Sequence, residues 1–332
     1  MPETELEALP SRGDVEFVEM PVRTILNRCS SSRMPFQWTI NPYRGCEFGC
    51  GYCYARYTHE FLELRDQMDF ERRIFVKRMA AEVLARTLSR TPIGTEAIAI
   101  GTATDPYQPA ERKFGLTRSV LEVFANLSGL HLSITTKSSL IVRDLEILRT
   151  ISRRSSLSAN FSLITLDRRI QRAIEPRAPR PELRLRALNE LARAGIRCNL
   201  LMMPVIPGLT DDPGSFEALV RAARRAGASA VWWRTLYLKP AAARRFIPLM
   251  REKFPHLSGR IDAFYGHRAY APREYDDRIG AIIDRIRMRY GFQIVREPAA
   301  TPARSAPGAP QQLMLENIAA KPAANSGARG GT

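Results

Sequence analysis

The sequence predicts an α/β protein built as a partial (β/α)6 barrel of the TIM type. Its length of 332 residues is within the range of a single α/β barrel. Short runs of apolar and β-branched residues alternate along it with longer amphipathic segments, which is the pattern of strands alternating with helices. Each helical segment is long enough to connect two parallel strands by a crossover.

Six short segments have the composition of buried strands. They span residues 38–41, 97–101, 132–136, 159–164, 197–203 and 230–236. Five segments between them have helical character. They span residues 76–89, 116–127, 140–151, 181–194 and 213–226. Because active sites of βα barrels lie at the carboxyl ends of the strands, the residues that directly follow each strand are the first candidates for function.

The barrel is expected to occupy residues 36–240, with other regions on either side. Residues 1–35 show few periodic signals and are expected to form an N-terminal lead-in. Residues 241–297 are expected to form a helical C-terminal extension that packs on the open edge of the barrel or caps its mouth. Residues 298–332 are rich in Pro, Ala, Gly and Ser, which predicts a disordered tail.

The composition is that of a globular protein with a strong basic excess. Hydrophobic residues make up 45% of the chain and charged residues 25%, which disfavours wholesale disorder or a fibrous architecture. The 50 Lys and Arg residues against 34 Asp and Glu give a net charge of +16, which favours a polyanionic partner such as DNA or RNA. A GC-rich genome also produces an arginine excess, so the charge alone does not identify the partner.

No targeting or membrane-spanning segment is predicted. Residues 1–20 are acidic and lack the apolar centre of a signal peptide, and no apolar run reaches the length of a transmembrane helix. The expected location is therefore cytoplasmic, with no membrane partner. In that reducing compartment, five cysteines with three of them inside eight residues favour metal binding over disulfides.

The strongest functional signal is a group of three cysteines after the first predicted strand. Cys46, Cys50 and Cys53 have the spacing C-x3-C-x2-C. A cubane with four irons normally takes four cysteines, so three on one loop leave one iron with an exchangeable position for a small molecule. A structural zinc site completed by His59 or Cys198 is the alternative. Zinc sites usually come as paired ligand knuckles, and only one such group is present here.

The segment around these cysteines resembles the radical S-adenosylmethionine (SAM) superfamily. The resemblance implies a [4Fe-4S] cluster on Cys46, Cys50 and Cys53 that binds SAM at its unique iron. It also implies that an electron from the cluster cleaves SAM to a 5′-deoxyadenosyl radical, which abstracts hydrogen from a substrate. Tyr52, the aromatic residue before the third cysteine, matches the position that lies against the adenine.

Further segments are similar to the spore photoproduct lyase-like proteins, also labelled DNA-repair photolyase-like. These segments are residues 39–56, 101–111, 135–138 and 204–210, and the likeness extends over residues 36–295. It implies contacts to SAM at the ends of several strands. They are Gly101, Thr102, Thr104 and Asp105 for the methionine amino group, Lys137 and Ser162 for the carboxylate, Thr165 for the ribose and Pro204 for the adenine.

Each of these implied contacts also has a purely structural alternative, and two of the alternatives are specific. Asp105 precedes a proline and is typical of a turn, and Lys137 lies near the expected N-terminus of the next helix. A cation beside the carboxylate of SAM is nevertheless reasonable on independent electrostatic grounds.

One position departs from the lyase pattern. The lyases keep a hydrogen-donating cysteine at the end of the second strand, where this chain has Thr102. A threonine hydroxyl does not readily give up a hydrogen atom, so reversal of the thymine lesion by that route is not expected. Cys198 lies within the fifth predicted strand rather than at its end, which makes it a poor substitute.

The expected partners are a DNA or RNA substrate and a reducing electron donor of the flavodoxin or ferredoxin type. Aromatic and arginine residues late in the chain suit base stacking and phosphate contact. They are Trp232, Trp233, Arg234, Tyr237, Tyr265, Arg268, Tyr270, Arg273 and Tyr275. The two tryptophans have a structural alternative, in which one of them fills the core, because neighbouring strand residues point to opposite faces.

Two further interpretations remain open at this point. Residues 311–316 are similar to peptides that dock on the bacterial sliding clamp, although the usual final aromatic residue is missing. The alternative to an enzyme is a non-catalytic module that binds nucleic acid, in which a metal on the cysteines only stabilises the loop.

Overall fold

Strands and helices alternate through most of the computed structural model, which describes residues 8–293 apart from residues 30, 32, 33, 65 and 92. The strands in this part of the chain are β1 (Ala8–Arg12), β2 (Val15–Glu19), β3 (Leu26–Arg28), β4 (Trp38–Ile40), β5 (Tyr43–Arg44), β6 (Arg73–Val76), β7 (Ala97–Ile100), β8 (His131–Thr136), β9 (Ser156–Ser162), β10 (Arg197–Val205) and β11 (Ala230–Thr235).

The α-helices in the described residues are α1 (Tyr57–Glu60), α2 (Asp69–Arg72), α3 (Ala80–Arg90), α4 (Glu111–Phe114), α5 (Leu116–Ala125), α6 (Leu145–Arg154), α7 (Arg168–Ile174), α8 (Pro181–Arg193), α9 (Pro213–Arg225), α10 (Pro240–Lys253), α11 (Ser258–Tyr265) and α12 (Arg273–Arg289). Short 3-10 helices span Tyr54–Arg56, Ser139–Asp144 and Pro255–Leu257.

The larger sheet has the order β11-β10-β9-β8-β7-β4-β3. From β4 to β11 every neighbouring pair is parallel, and only β3 pairs antiparallel, on the outer edge of β4. Helices connect the successive parallel strands, as right-handed crossovers require. The predicted partial (β/α)6 barrel is therefore confirmed, and each of its six strands overlaps the segment predicted for it.

The predicted helices also occur, with one difference at the start of the first. The segment 76–89 was expected to be helical throughout, but Val76 ends β6 and α3 begins at Ala80. The run of Ile74, Phe75 and Val76 is apolar and aromatic, which favours a strand. The start of α9 shows two residues typical of a helix N-terminus. Pro213 occupies the first turn of α9, and Asp212 caps the helix by accepting a hydrogen bond from Ser215 N at 2.8 Å.

A second, smaller sheet was not predicted from the sequence. It has the order β1-β2-β6-β5, in which β2 and β6 are parallel and the outer pairs are antiparallel. Its apolar face buries Phe17, Tyr43, Ile74 and Val76. The sheet places β5 directly before the three cysteines, so it supports the loop that holds them.

The main core lies between the larger sheet and its crossover helices. Ile98, Ile134 and Leu200 from the strands and Leu121 and Phe124 from α5 are all fully buried there. Each such side chain stabilises the fold by about 1.5–3 kcal/mol relative to an exposed one. This core keeps the strand ends in a fixed register.

The helices after β11 pack on two different parts of the barrel. In α10, Phe246, Leu249 and Met250 belong to a second apolar cluster that includes Cys46 and Cys50. In α12, the side chains of Tyr275, Ile279 and Ile283 join the main core. The extension thus both covers the side of the barrel and lies against the cysteines.

Among the described residues, no helix combines the length and the apolar character needed to cross a membrane. The proposed tail and its segment 311–316 lie outside the residues that the structure describes.

Gly101 provides a test of the geometry at the end of β7. Its φ is +87°, and a Cβ at this position would lie 2.5 Å from Pro106 Cδ and 2.7 Å from Thr135 O. We expect Gly101→Ala to lower the free energy of unfolding by about 3 kcal/mol. The cost of a left-handed backbone at a residue with a Cβ adds to the cost of the steric overlap with Pro106 and Thr135. Urea unfolding of the purified variant measures the loss.

The matched control is Gly129→Ala. Gly129 also has a positive φ, of +73°, but a Cβ there would meet no atom within 4 Å. We expect this variant to lose only about 1 kcal/mol, the cost of the left-handed conformation alone. Equal losses in the two variants would contradict the close packing described at Gly101.

Candidate active site

A loop of residues 45–53, called the cysteine loop from here on, lies at the carboxyl end of the barrel sheet. Gly45 opens it with a φ of +84°. A Cβ on Gly45 would lie 2.9 Å from Arg73 O and 3.0 Å from Phe70 O, so the turn requires glycine. Cys46 N then donates to Phe70 O at 2.8 Å, which fixes the loop on the segment before β6.

The segment after β7 supports the loop from one side. Gly45 O accepts hydrogen bonds from Thr104 Oγ1 at 2.6 Å and from Gln108 Nε2 at 3.1 Å. Gln108 Nε2 also donates to Thr104 Oγ1, and Glu47 N donates to Gln108 Oε1 at 2.9 Å. The hydroxyl of Thr104, predicted to contact the methionine amino group, therefore uses its proton to hold the cysteine loop.

The segment after α7 and helix α10 support the loop from the other side. Gly51 N donates to Ile174 O at 2.9 Å, and Arg177 N donates to Phe48 O at 3.3 Å. A Cβ on Gly51 would lie 2.4 Å from Leu249 Cδ2, so α10 packs directly on the loop backbone. The loop is thus enclosed by elements that are distant in sequence.

The three cysteine thiols are shielded from water. Cys46 and Cys50 are buried and Cys53 is half-buried. Burial raises the pKa of Cys50 to about 12 and raises the pKa values of Cys46 and Cys53, while Lys137 opposes the shift at Cys50 and Arg56 opposes it at Cys53. Bound iron reverses this balance, because a thiol that coordinates a metal is deprotonated outright. The soft, buried donor set fits an iron-sulfur cluster.

The residues considered as a fourth zinc ligand are occupied elsewhere. His59 Nε2 lies 3.1 Å from Arg73 O, and its ring packs edge-on against Phe70 and Phe75. Burial lowers the pKa of His59 to about 4. Cys198 is fully buried within β10 in the main core. Cys198 therefore belongs to a different cluster from Cys46 and Cys50, and His59 Nε2 is used by a backbone oxygen.

No three His, Cys, Asp or Glu side chains of the described residues converge on one metal-ion position. In a cubane cluster each cysteine binds a different iron, so convergence of the sulfurs on a single point is not a requirement for that kind of centre.

A buried ion pair fixes the C-terminal part of the loop. Arg56 Nη1 donates to Glu71 Oε2 at 2.7 Å and to Gln67 O at 2.7 Å, while Arg56 Nη2 donates to Cys50 O at 3.1 Å. Arg56 and Glu71 are both almost inaccessible to water. Arg56 therefore joins the cysteine backbone to a carboxylate of α2.

A second buried pair lies under Tyr52. The hydroxyl of Tyr52 donates to Glu175 Oε1, and Arg184 Nη2 donates to Glu175 Oε2 at 2.5 Å. Arg184 Nη1 also donates to Ser162 O at 2.9 Å, at the end of β9. Burial raises the pKa of Glu175, but Arg184 and Lys137 outweigh it and hold that pKa below its usual range. The pair ties Tyr52 to the barrel strand.

Lys137, directly after β8, brings a cation to the cysteine loop. Its Nζ lies 5.7 Å from the centre of the Tyr52 ring. Burial lowers the pKa of Lys137, but Cys50 and Glu175 outweigh burial and raise it, so the amine stays charged. This ammonium makes no hydrogen bond and no ion pair with any described residue. It is available to an anionic group beside the cysteines.

Asp105 connects the ends of β7 and β8. Its carboxylate accepts hydrogen bonds from Thr136 Oγ1 at 2.6 Å, Lys137 N at 2.7 Å and Tyr107 N at 2.9 Å. Burial raises the pKa of Asp105, and these three donors oppose the shift. Asp105 thus orients the backbone that carries Lys137.

Thr102 lies in the bend after β7, next to Gly101. Asn41 Nδ2 donates to Thr102 Oγ1 at 3.2 Å, and the hydroxyl of Tyr54 donates to Thr102 O. Asn41 Oδ1 accepts from Ala103 N at 2.8 Å, so the side chain of Asn41 holds this bend against the end of β4.

The other predicted SAM contacts lie along β9 and β10. Ser162 is buried and ends β9. Thr165 lies three residues later, where its Oγ1 accepts from Asp167 N at 3.0 Å within a turn. Pro204 lies inside β10, after a cis peptide bond with Met203. Together with Gly101, these residues lie along the same run of neighbouring strands β7 to β10.

Sequence reasoning missed the two ion pairs that hold the loop. Arg56 and Glu71 are 15 residues apart, and Glu175 and Arg184 are nine apart. No periodic pattern distinguishes these four residues from exposed charges. The one available signal was the position of Arg56 three residues after Cys53, inside the segment of family likeness.

Several of the late aromatic residues lie in the core. Tyr265 and Tyr275 are buried, and the Tyr275 hydroxyl donates to Asp211 Oδ2 at 2.8 Å. Trp233 packs so closely on α12 that a Cβ on Gly280 would lie 2.9 Å from its ring. The structural alternative therefore holds for Trp233, which packs against the core, and Tyr265 and Tyr275 are buried as well.

Comparison with known proteins adds to this geometry. Residues 40–222 match the family model of the radical SAM superfamily. The uncharacterized protein Rv2578c of Mycobacterium tuberculosis is 32% identical over 284 residues, which cover 84% of this chain and 83% of that protein. The uncharacterized protein MJ0683 of Methanocaldococcus jannaschii is 29% identical over 198 residues, which cover 59% of this chain and 70% of that protein.

A solved structure shares the fold. Spore photoproduct lyase complexed with dinucleoside spore photoproduct is similar with a TM-score of 0.62 and 15% sequence identity, over 83% of this chain and 79% of that chain. The likeness includes the partial barrel.

The buried pair under Tyr52 provides a test of the site's architecture. We expect Arg184→Met to lower the free energy of unfolding by about 3–5 kcal/mol, because Glu175 would remain buried without its cation. Urea unfolding measures this loss. In the double variant with Glu175→Gln, part of the stability should return, since no uncompensated charge is left.

Arg186→Met is the matched control, because Arg186 is exposed on the same helix. Its effect should stay within about 0.5 kcal/mol. If Arg184→Met costs no more than Arg186→Met, the described ion pair does not hold this part of the site.

Proposed function

The chain belongs to the radical SAM superfamily, and we propose that it binds its cluster through Cys46, Cys50 and Cys53 and abstracts hydrogen from a nucleic-acid substrate. Enzymes of this superfamily use a [4Fe-4S] cluster and SAM, and so does this one. When bound, the cluster supplies an electron to SAM, and the cleaved SAM supplies the radical that removes hydrogen from the substrate.

One observation supports the proposal most directly. Two buried thiols and one half-buried thiol on the cysteine loop lie near the unpaired ammonium of Lys137 at the carboxyl end of the barrel. The thiols suit a soft metal centre, and the ammonium suits the carboxylate of SAM. A loop stabilised only by a metal has no need of such a cation.

The residues of the strand ends take the following roles in this proposal. Lys137 and Ser162 bind the methionine carboxylate, Thr165 the ribose, and Tyr52 and Pro204 flank the adenine. Gly101 and Thr102 receive the methionine amino group through the backbone of their bend. Thr104 and Asp105 act indirectly, since Thr104 holds the cysteine loop and Asp105 orients the backbone of Lys137.

Two observations support nucleic acid as the substrate class. The chain has a net charge of +16, which attracts polyanions. The similar fold of spore photoproduct lyase was solved with a dinucleoside spore photoproduct. Reversal of that lesion by hydrogen donation from Thr102 is not part of the proposal, because a threonine hydroxyl is a poor hydrogen-atom donor. The electron would come from a flavodoxin-like or ferredoxin-like donor.

Loss of the cluster ligands tests the metal centre. We expect the anaerobically reconstituted wild-type protein to contain iron and sulfide in equal amounts and to form 5′-deoxyadenosine from SAM after reduction. Cys50→Ser should lose both properties, because the cubane would keep only two protein ligands. Iron and sulfide analysis and chromatography of 5′-deoxyadenosine provide the measurements.

Cys198→Ser is the matched control for the cysteine variant. Cys198 is buried in the barrel core away from the cysteine loop, so its cluster content should equal that of the wild type. Bound zinc without iron or sulfide in the wild-type protein would support the non-catalytic module instead.

Lys137 is tested by SAM affinity rather than by activity. We expect Lys137→Met to weaken SAM binding about tenfold or more, which corresponds to the loss of a charge-assisted hydrogen bond. Equilibrium dialysis with labelled SAM measures the affinity, and iron content should remain at the wild-type level. Lys253→Met, on the exposed side of α10, should bind SAM normally. Equal affinities of the two variants would remove Lys137 from the SAM site.

A further inference from the structure

Two cations of the smaller sheet lie side by side near the mouth of the barrel. β5 pairs antiparallel with β6, and Arg44 lies directly opposite Phe75. Lys77 lies two residues after Phe75, so it projects from the same face and is a diagonal neighbour of Arg44. The other face carries the apolar side chains of Tyr43 and Val76. The two cations therefore share the face that is turned away from that apolar cluster.

These two cations have no carboxylate partner in the described part of the chain. Lys77 is only 8% exposed, and its Nζ donates to the backbone oxygen of Asn41 at 2.8 Å. Arg44 is half-buried, and its guanidinium makes no hydrogen bond or ion pair with a described residue. Burial and the neighbouring Arg44 lower the pKa of Lys77 to about 7. Both groups lose hydration without gaining a counter-charge.

This situation contrasts with that of two fully buried arginines near the site. Arg56 is paired with Glu71 and Arg184 with Glu175, as expected from the high cost of burying an isolated charge. Adjacent unpaired cations are costly to the protein on its own. An anionic ligand that binds between Arg44 and Lys77 would remove that cost.

A row of aromatic rings extends from the cations along the mouth. Lys239 Nζ lies 4.4 Å from the centre of the Tyr57 ring and 5.9 Å from that of Tyr237. Tyr237 stacks on Tyr270 with ring centres 4.6 Å apart and an angle of 23° between the rings. Burial raises the pKa of Tyr57 and the guanidinium of Arg44 opposes the shift, so Tyr57 and Arg44 lie close enough to interact electrostatically.

The outer end of this row is open to solvent. Tyr270 is 57% exposed, so part of its ring is accessible to a ligand. Rings that alternate with a lysine offer stacking surfaces for bases and a charge for the backbone between them. The spacing of the groups thus favours an extended ligand over a single small anion.

We propose that Arg44 and Lys77 bind a phosphate group of a single-stranded nucleic acid, and that Tyr57, Lys239, Tyr237 and Tyr270 receive its neighbouring nucleotides. This inference rests on the proposed function, since it assigns the substrate class of the same barrel mouth. The strand would cross the opening beside the cysteine loop, which begins directly after Arg44.

Binding of fluorescently labelled oligothymidylate to the anaerobically reconstituted full chain tests the inference. Fluorescence anisotropy at several salt concentrations gives the affinity and its salt dependence. We expect Arg44→Gln and Lys77→Met each to weaken binding about tenfold and to reduce the salt slope by ~0.7, the value for one phosphate contact on a single strand. Tyr270→Ala should weaken binding about fivefold or more without changing the salt slope, because it removes stacking.

Thermal unfolding of the same variants separates a binding role from a structural one. Arg44→Gln removes a cation without a hydrogen bond or ion pair to a described residue, so it should leave the melting temperature unchanged or raise it. Lys77→Met also removes the hydrogen bond to Asn41 O and should lower the melting temperature slightly. Arg149→Gln, an exposed position on α6, removes the same charge and should alter affinity less than twofold. Wild-type affinity in both Arg44→Gln and Lys77→Met, or a loss of affinity in Arg44→Gln that accompanies a lower melting temperature, would overturn the inference.

Further measurements separate binding of a nucleic-acid strand from the alternatives. Should a neutral variant fail to fold, Arg44→Lys and Lys77→Arg keep the charge and should bind the oligonucleotide; failure of both would overturn the inference. Binding of inorganic phosphate without binding of the oligonucleotide would overturn the assignment to a strand. Wild-type protein that forms 5′-deoxyadenosine but does not bind the oligonucleotide would refute this inference alone, whereas binding without 5′-deoxyadenosine would refute the proposed function alone.

Discussion

Two buried arginine-glutamate pairs fix the conformation of the cysteine loop, and the geometry of the site depends on them. Arg56 joins the backbone of Cys50 to Glu71, and Arg184 joins Glu175 and Tyr52 to the end of β9. Buried ion pairs contribute little net stability compared with apolar residues of the same size. Their effect here is to allow one arrangement of the loop, because any other would leave a charge buried without its partner.

The cost of burying a charge also determines the protonation of the cysteine thiols before a metal binds. Burial raises the pKa of the cysteine thiols, so the metal-free protein does not place three thiolates together in an apolar site. Assembly of a cluster then releases the protons, as metal binding to cysteines generally does. Lys137 and Arg56 offset part of the negative charge that this chemistry brings into the interior.

The sequence predicted the barrel and the cysteines because both leave local signals. The strands β7 to β11 and the helices between them appear as alternating apolar and amphipathic runs, and the cysteine spacing is compact. The smaller sheet left no such signal, because short strands such as β5 acquire their partners from distant parts of the chain. The ion pairs of Arg56 and Arg184 left no signal either, because the burial of a charge depends on the fold and not on the local sequence. Thr104 and Asp105 were located correctly at the end of a strand, but their hydrogen bonds are made within the protein.

Arg44, Lys77 and Lys137 have no ion-pair partner among the described residues, in contrast to Arg56 and Arg184. The site therefore combines ion pairs that hold the cysteine loop with cations that have no counter-charge among the described residues. This arrangement of charges agrees with a protein whose own ion pairs hold the cofactor loop and whose unpaired cations are available to a ligand.

Electron paramagnetic resonance of the reduced, reconstituted protein tests the central claim most directly. A cluster on three cysteines has one iron open to SAM, so the spectrum of the reduced [4Fe-4S] centre should shift when SAM is added and remain unchanged in a matched sample without SAM. A spectrum that is identical with and without SAM would contradict the account, because no iron would then be free to bind it.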